Sequence, residues 1–177
     1  LALHARAPDA ALADFLVTTL DAMMRNGLRD HLGGGFFRYT VDPDWRTPHF
    51  EKMLYDQALL APLYLRAAQT LERPEYRAVA RETLDFMVRE LGGEGGGFIS
   101  SLSALDGAGV EGGYYLWRAE ELDRLLTPGQ RRLLALVWGL EGPARHEAGL
   151  LPVAGIDLGT AAQRLGMTPA DVERQVK

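Results

Sequence analysis

"WRTPHFEKMLYDQALLAPLY", Trp45 to Tyr64, is the stretch on which the reading of the chain turns. Thr47 followed by Pro48 has the form of a helix start: the hydroxyl accepts one of the amide hydrogens orphaned there, and proline has none to lose. Behind them Phe50, Met53, Leu54, Leu60, Ala61, Tyr64, Leu65 and Ala68 recur at helical spacing. A helix is therefore expected from Pro48 to about Leu71, kinked at Pro62. On it His49, Lys52 and Asp56 stand three and four residues apart and share one face, with Glu51 and Tyr55 flanking them. Such a cluster has two readings. It is either a site, or a solvated face in which Lys52 and Asp56 form a surface pair contributing about 0.3–0.5 kcal/mol.

Working outward, apolar residues from Leu12 to Met24 repeat at helical spacing between Asp9, a natural N-cap, and Asn26-Gly27, a stop. Pro74 to Leu91 forms another helix on Tyr76, Val79, Ala80, Leu84, Met87 and Val88. Gly-Gly-Gly-Phe occurs at Gly33–Phe36 and again at Gly95–Phe98, 62 residues on, each time after a helix and before an aromatic stretch that alternates like a hairpin. A repeat of that size, a helix pair with a glycine-rich loop, cannot bury its own apolar face and implies stacking with further copies. Toward the end, Ala119–Leu126, a helix after Thr127-Pro128-Gly129-Gln130 with capping-box spacing, and two short helices over 157–165 and from Pro169 complete the pattern.

Bulk composition narrows the classes. The 177 residues, 47% hydrophobic and 24% charged, suit a globular domain with a substantial core. A net charge of −5 without a run of like charge speaks against nucleic acid or an anionic membrane as partner. The closing segment has the helix, glycine turn and helix of a DNA reader, but Arg164, Arg174 and Lys177 are offset by Asp157, Asp171 and Glu173. There is no cysteine, so thiol redox chemistry, disulfides and zinc-thiolate sites are excluded within this stretch. No cofactor or metal is expected, because no His-Glu-x-x-His pattern, phosphate loop ending in Gly-Lys-Ser/Thr, or Gly-x-Ser-x-Gly frame occurs. A cytoplasmic location is expected, with no signal peptide or bilayer-spanning run. With a start without Met and an end inside an amphipathic pattern, the chain is expected to be a fragment.

The residues around the opening stretch suit a polyhydroxylated ligand. Tyr39 and Trp45 offer flat faces for the apolar side of a sugar, while Arg38, Asp42, Lys52 and Tyr55 offer directed polar partners. Glu51, Asp56 and His49 are the candidates for acid, base or orienting work. For removal of a proton beside a sugar carbonyl, His49 is the better base, since imidazole titrates near neutral pH.

"DHLGGGFFRYTVDPDWRTPHFEKMLYDQALL", Asp30 to Leu60, with "GGFISSLSALDGAGVEGGYYLWRAEEL" from Gly96 to Leu122, resembles the thioredoxin-domain-containing spermatogenesis-associated family. The resemblance implies a thioredoxin-like domain elsewhere in the same polypeptide, which would be a partner of this region. It also implies a mainly α fold, a partial alpha/alpha toroid of helical hairpins with short β-hairpins on the inner loops, similar to six-hairpin glycosidases and N-acylglucosamine 2-epimerases. Residues 1–177 would be a fragment of that single domain, its first hairpins. Gly34, Gly35, Phe36, Arg38, Tyr39, Asp42, Trp45, His49, Glu51, Lys52, Tyr55 and Asp56 match the signature that faces the ring's cavity. In place of an acidic Asp-Ala-Asp-Ser stretch this chain has only Asp106-Gly107-Ala108-Gly109 before Val110-Glu111-Gly112.

Two functions follow as expectations. One is a carbohydrate-binding or carbohydrate-processing domain, glycosidase-like or epimerase-like. The other is a non-catalytic helical scaffold docking the thioredoxin-like domain or a protein partner, for which Asp56→Asn should lower the melting temperature. In either case the open ring exposes apolar helix faces, so the isolated chain should self-associate.

Overall fold

Aspartate at position 9 does what its place in the sequence suggests: its side chain accepts the amide hydrogen of Leu12 at 2.7 Å and opens a helix over Ala10–Arg25. The computed structural model describes residues 1–176 and divides into two compact units, the first ending at Ala104. It is mainly α.

The first unit contains α1 (Ala2–Arg6), α2 (Ala10–Arg25), β1 (Tyr39–Thr40), β2 (Pro48–His49), β3 (Lys52–Met53), α3 (Leu54–Thr70), α4 (Tyr76–Phe86) and β4 (Ser101–Leu102). A π-helical turn, Met87–Leu91, extends α4. Strands β1 and β2 pair antiparallel, as do β3 and β4. The core lies among α2, α3 and α4, where Leu20, Met24, Phe36, Tyr64, Ala67, Tyr76 and Val79 are buried together. Its centre is aromatic: Phe36 stacks on Tyr64 at 5.5 Å between ring centroids, and Tyr76 meets Tyr64 edge-on at 5.4 Å. Each buried hydroxyl has a partner, Tyr64 donating to Leu20 O and Tyr76 to Asp21.

Three expectations need correcting. The helix expected from Pro48 begins at Leu54 instead, because residues 48–53 spend their backbone hydrogen bonds on strand partners. It then runs through Pro62, which lies on the exposed side. After the second glycine run Ser101–Leu102 returns to pair with Lys52–Met53, and the local antiparallel pairing is reduced to one bridge, Leu105 to Glu111. Phe15, Leu84 and Val88, expected inside, are 65%, 50% and 71% exposed, so the apolar stripes of α2 and α4 are wider than the surface they cover within the unit.

The two glycine runs share one local device: Arg29 bridges to Phe36 and Gly92 to Phe98, each turning the chain back on the end of the preceding helix. Their surroundings differ. Gly35 has φ +74°, and a Cβ there would stand 2.6 Å from the Phe86 ring, whereas one on Gly97 would meet nothing within 4 Å. Phe36 is fully buried and Phe98 half exposed.

The second unit, from Leu105 on, holds α5 (Ala119–Leu125), α6 (Pro128–Trp138), α7 (Leu158–Leu165) and α8 (Pro169–Val176). The capping box forms as read, Gln130 N bonding Thr127 Oγ1 and Thr127 N bonding Gln130 Oε1. Leu133, Val137, Ala161, Ala162 and Val172 form its main core. Arg174, on α8, is paired with Asp171. Among the described residues no helix is long and apolar enough to cross a membrane.

Candidate functional site

Burial from Pro48 to Met53 alternates without a break: Pro48, Phe50 and Lys52 are buried, while His49, Glu51 and Met53 are partly exposed. Extended chain turns successive side chains to opposite faces. The nine candidates therefore divide by strand alternation rather than by a helical face.

Outward, the β1–β2 register sets Tyr39 opposite His49, so the two rings stack at 5.0 Å with 23° between their planes. Two residues on, Glu51 lies on the same side, and its Oε2 receives both Arg38 Nη1 at 2.7 Å and His49 Nε2 at 3.2 Å. A carboxylate only accepts, so the proton of this His49–Glu51 bond sits on Nε2. Arg38 also lies near the side chain of Tyr55, in the first turn of α3. The guanidinium is held firmly charged by Glu51, then by Tyr55.

The two carboxyl groups of this face are driven in opposite directions. The Arg38 hydrogen bond holds Glu51 below the usual carboxylate range, with His49 adding to it. Burial raises Asp56 above that range, and the charge of Arg38 only partly offsets it. Asp56 Oδ2 is covered and has no hydrogen-bond partner among the described residues. Opposite shifts in neighbouring carboxyls are what divides acid from base work in one site. The structure thus brings six candidates together around Arg38, namely Arg38, Tyr39, His49, Glu51, Tyr55 and Asp56.

The other three have different tasks. Asp42 closes its own loop, accepting from the backbone N–H groups of Asp44, Arg46 and Thr47. Trp45 takes a left-handed backbone (φ 58°), receives Gly27 N at 2.7 Å and packs its side chain against the main core. Lys52 is not in a surface pair with Asp56. It is 1% exposed, and its ammonium donates to Asp30 Oδ2 at 2.6 Å and Gly34 O at 2.8 Å between the rings of Phe37 and Phe86.

Two residues essential to this arrangement escaped the sequence reading. Asp30 receives Leu32 N and Gly33 N on one oxygen and Lys52 on the other. Gln57 lies fully buried with its amide laid along Phe36, accepting from Phe36 N and donating to Phe36 O, both at 2.8 Å. The strand period that places Lys52 beside Phe50 was the available signal for the first. Nothing in the sequence marks the second.

The face is open, with Tyr39 and Tyr55 47% and 50% exposed. An apolar trough of about 580 Å³ lies elsewhere in the unit, between α1 and α3, and none of the nine candidates lines it. No cluster of histidine, aspartate and glutamate suited to a metal ion occurs among the described residues.

No family model matches the chain. It is 43% identical over 113 residues, 61% of its length, to Spermatogenesis-associated protein 20 of Homo sapiens, and 42% identical to the Mus musculus protein of the same name. A Caenorhabditis elegans relative, Uncharacterized protein B0495.5, is 35% identical over 119 residues. These matches support the family to which the motifs point. The chain spans only 14% of the length of the human relative, and none of these names states a reaction.

Proposed function

We propose that the Arg38 cluster is part of a carbohydrate-binding or carbohydrate-processing site on a toroid of helical hairpins, glycosidase-like or epimerase-like, whose remaining walls come from other parts of a longer polypeptide. The observation that carries this reading is a stacked Tyr39–His49 pair beside two carboxyl groups driven apart in acidity. The apolar face of a sugar ring lies against an aromatic face, and its hydroxyls seek carboxylates and arginine. In hydrolysis Asp56 is the proton donor and Glu51 the ionised partner. In epimerisation His49, oriented by Glu51 through Nε2, is the candidate base. The test is Glu51→Gln and Asp56→Asn in the full-length protein, with sugar binding followed by calorimetry and sugar conversion by chromatography. Each variant should weaken binding or turnover at least about tenfold. Unchanged behaviour in both refutes the reading.

A second reading is favoured by the buried Lys52–Asp30 and Gln57–Phe36 bonds, which lock the glycine loop to the segment entering α3. On this reading the domain is a scaffold that docks a thioredoxin-like domain or another protein partner, and catalysis plays no part. Its lock is Lys52 and Gln57 rather than Asp56. Loss of the Lys52 ammonium should therefore lower the melting temperature at least as much as Asp56→Asn.

A further inference from the structure

We infer that the ligand of the Arg38 cluster is an uncharged hydroxyl-bearing molecule, one of whose hydroxyl groups bonds Asp56 Oδ2; this rests on the carbohydrate reading above and narrows it to neutral sugars.

Satisfaction of polar groups is the first argument. Covered polar atoms without partners are uncommon in folded chains, because each forfeits its hydration with nothing in return. The neighbouring carboxylates are served: Asp30 by Lys52 and two amides, Asp42 by three amides, Glu51 by Arg38 and His49. Asp56 Oδ2 is the exception on this face. The terminal torsion of a carboxyl is soft, and the residue is only partly buried, so Oδ2 turns outward at little cost when a donor arrives. A hydroxyl suits it in either protonation state, donating to the carboxylate or accepting from the acid.

Charge is the second argument. An anionic sugar needs a cation that is free to receive it. Arg38 holds Glu51 at 2.7 Å, and the ammonium of Lys52 is buried on the opposite side of its strand against Asp30. A phosphate or carboxylate entering here would meet an arginine whose charge Glu51 already balances, so the cluster offers it no net attraction and sets the Glu51 carboxylate against it. The half-exposed rings of Tyr39 and Tyr55 carry no net charge and suit a ring compound with C–H faces.

Calorimetry on the full-length protein separates the possibilities, with N-acetylglucosamine and maltose as neutral probes and glucose 6-phosphate and glucuronate as acidic ones. At least one neutral probe should bind, each acidic probe at least about tenfold more weakly, and Asp56→Asn should weaken neutral binding about tenfold while its circular dichroism stays that of the parent. Tighter binding of an acidic probe overturns the inference but leaves the carbohydrate reading standing. Neutral binding that survives Asp56→Asn yet is lost in Glu51→Gln removes Asp56 from the anchoring role. No binding by any of the four probes overturns both. Should Asp56→Asn not fold, the comparison of neutral with acidic probes on the parent protein still decides the charge class.

Discussion

Replacing Lys52 with methionine separates a structural lock from a surface charge. Methionine keeps the unbranched stem between Phe37 and Phe86 but removes the ammonium, which lies 5.0 and 4.4 Å from the two ring centroids. Asp30 Oδ2 loses a donor at 2.6 Å and Gly34 O one at 2.8 Å, while Asp30 Oδ1 keeps Leu32 N and Gly33 N. Breaking a buried pair in this way leaves an uncompensated charge, at a cost of about 3–5 kcal/mol. That is a large part of the roughly 5–15 kcal/mol that holds a typical domain together. At about 4–8 °C per kcal/mol for a unit of this size, the melting transition falls by at least about 12 °C. Urea and thermal unfolding followed by circular dichroism measure it, with Asp30→Asn and the double variant completing the cycle. The double variant should lose much less than the sum of the two single losses, because both remove one interaction. A loss within about 1 kcal/mol for Lys52→Met, as for a solvated pair, or strict additivity, refutes the reasoning.

Two further outcomes follow. Gly35→Ala puts a Cβ 2.6 Å from the Phe86 ring at φ +74° and should cost at least about 2 kcal/mol. Gly97→Ala, with open space around it, should be neutral or stabilise by up to about 1 kcal/mol, so equal denaturation midpoints for the two variants would contradict the difference drawn between the glycine runs. Burial, helped by nearby Arg29, lowers the His31 pKa to about 4. A histidine with a lowered folded-state pKa binds its proton more readily when unfolded, so stability falls as pH drops from the unfolded value near 6.5 toward 4, by up to about 3 kcal/mol. His31→Gln should flatten that slope in melting curves taken across the range, and an unchanged slope would place the acid sensitivity elsewhere.

Much of the helical framework was legible because its signals are local. Asp9, Thr127 with Gln130, and Asp157 cap the helices they precede, and the apolar spacing of α2, α4 and α6 lies within single segments. The site was legible only in membership. Six of the nine candidates meet around Arg38, but not on the helical face that the three-and-four spacing suggested. Asp42, Trp45 and Lys52 have the same residue types as site groups, and nothing in their spacing tells a loop closure, a core wedge or a buried cation from a ligand contact.

Composition and short-range order by themselves determined a mainly α chain, the caps at Asp9, Thr127 and Asp157, its two glycine turns and the polar character of the segment after Trp45. Only the tertiary structure decided that residues 48–53 are extended, since Met53 pairs with Ser101 and Lys52 with Leu102, partners far along the chain. Once that distant pairing makes the segment a strand, alternation sends Lys52 inward to Asp30 and turns His49 and Glu51 outward to Arg38. The physical reason is that a strand of two residues has too little hydrogen bonding of its own to declare itself, and takes its conformation from whatever lies beside it.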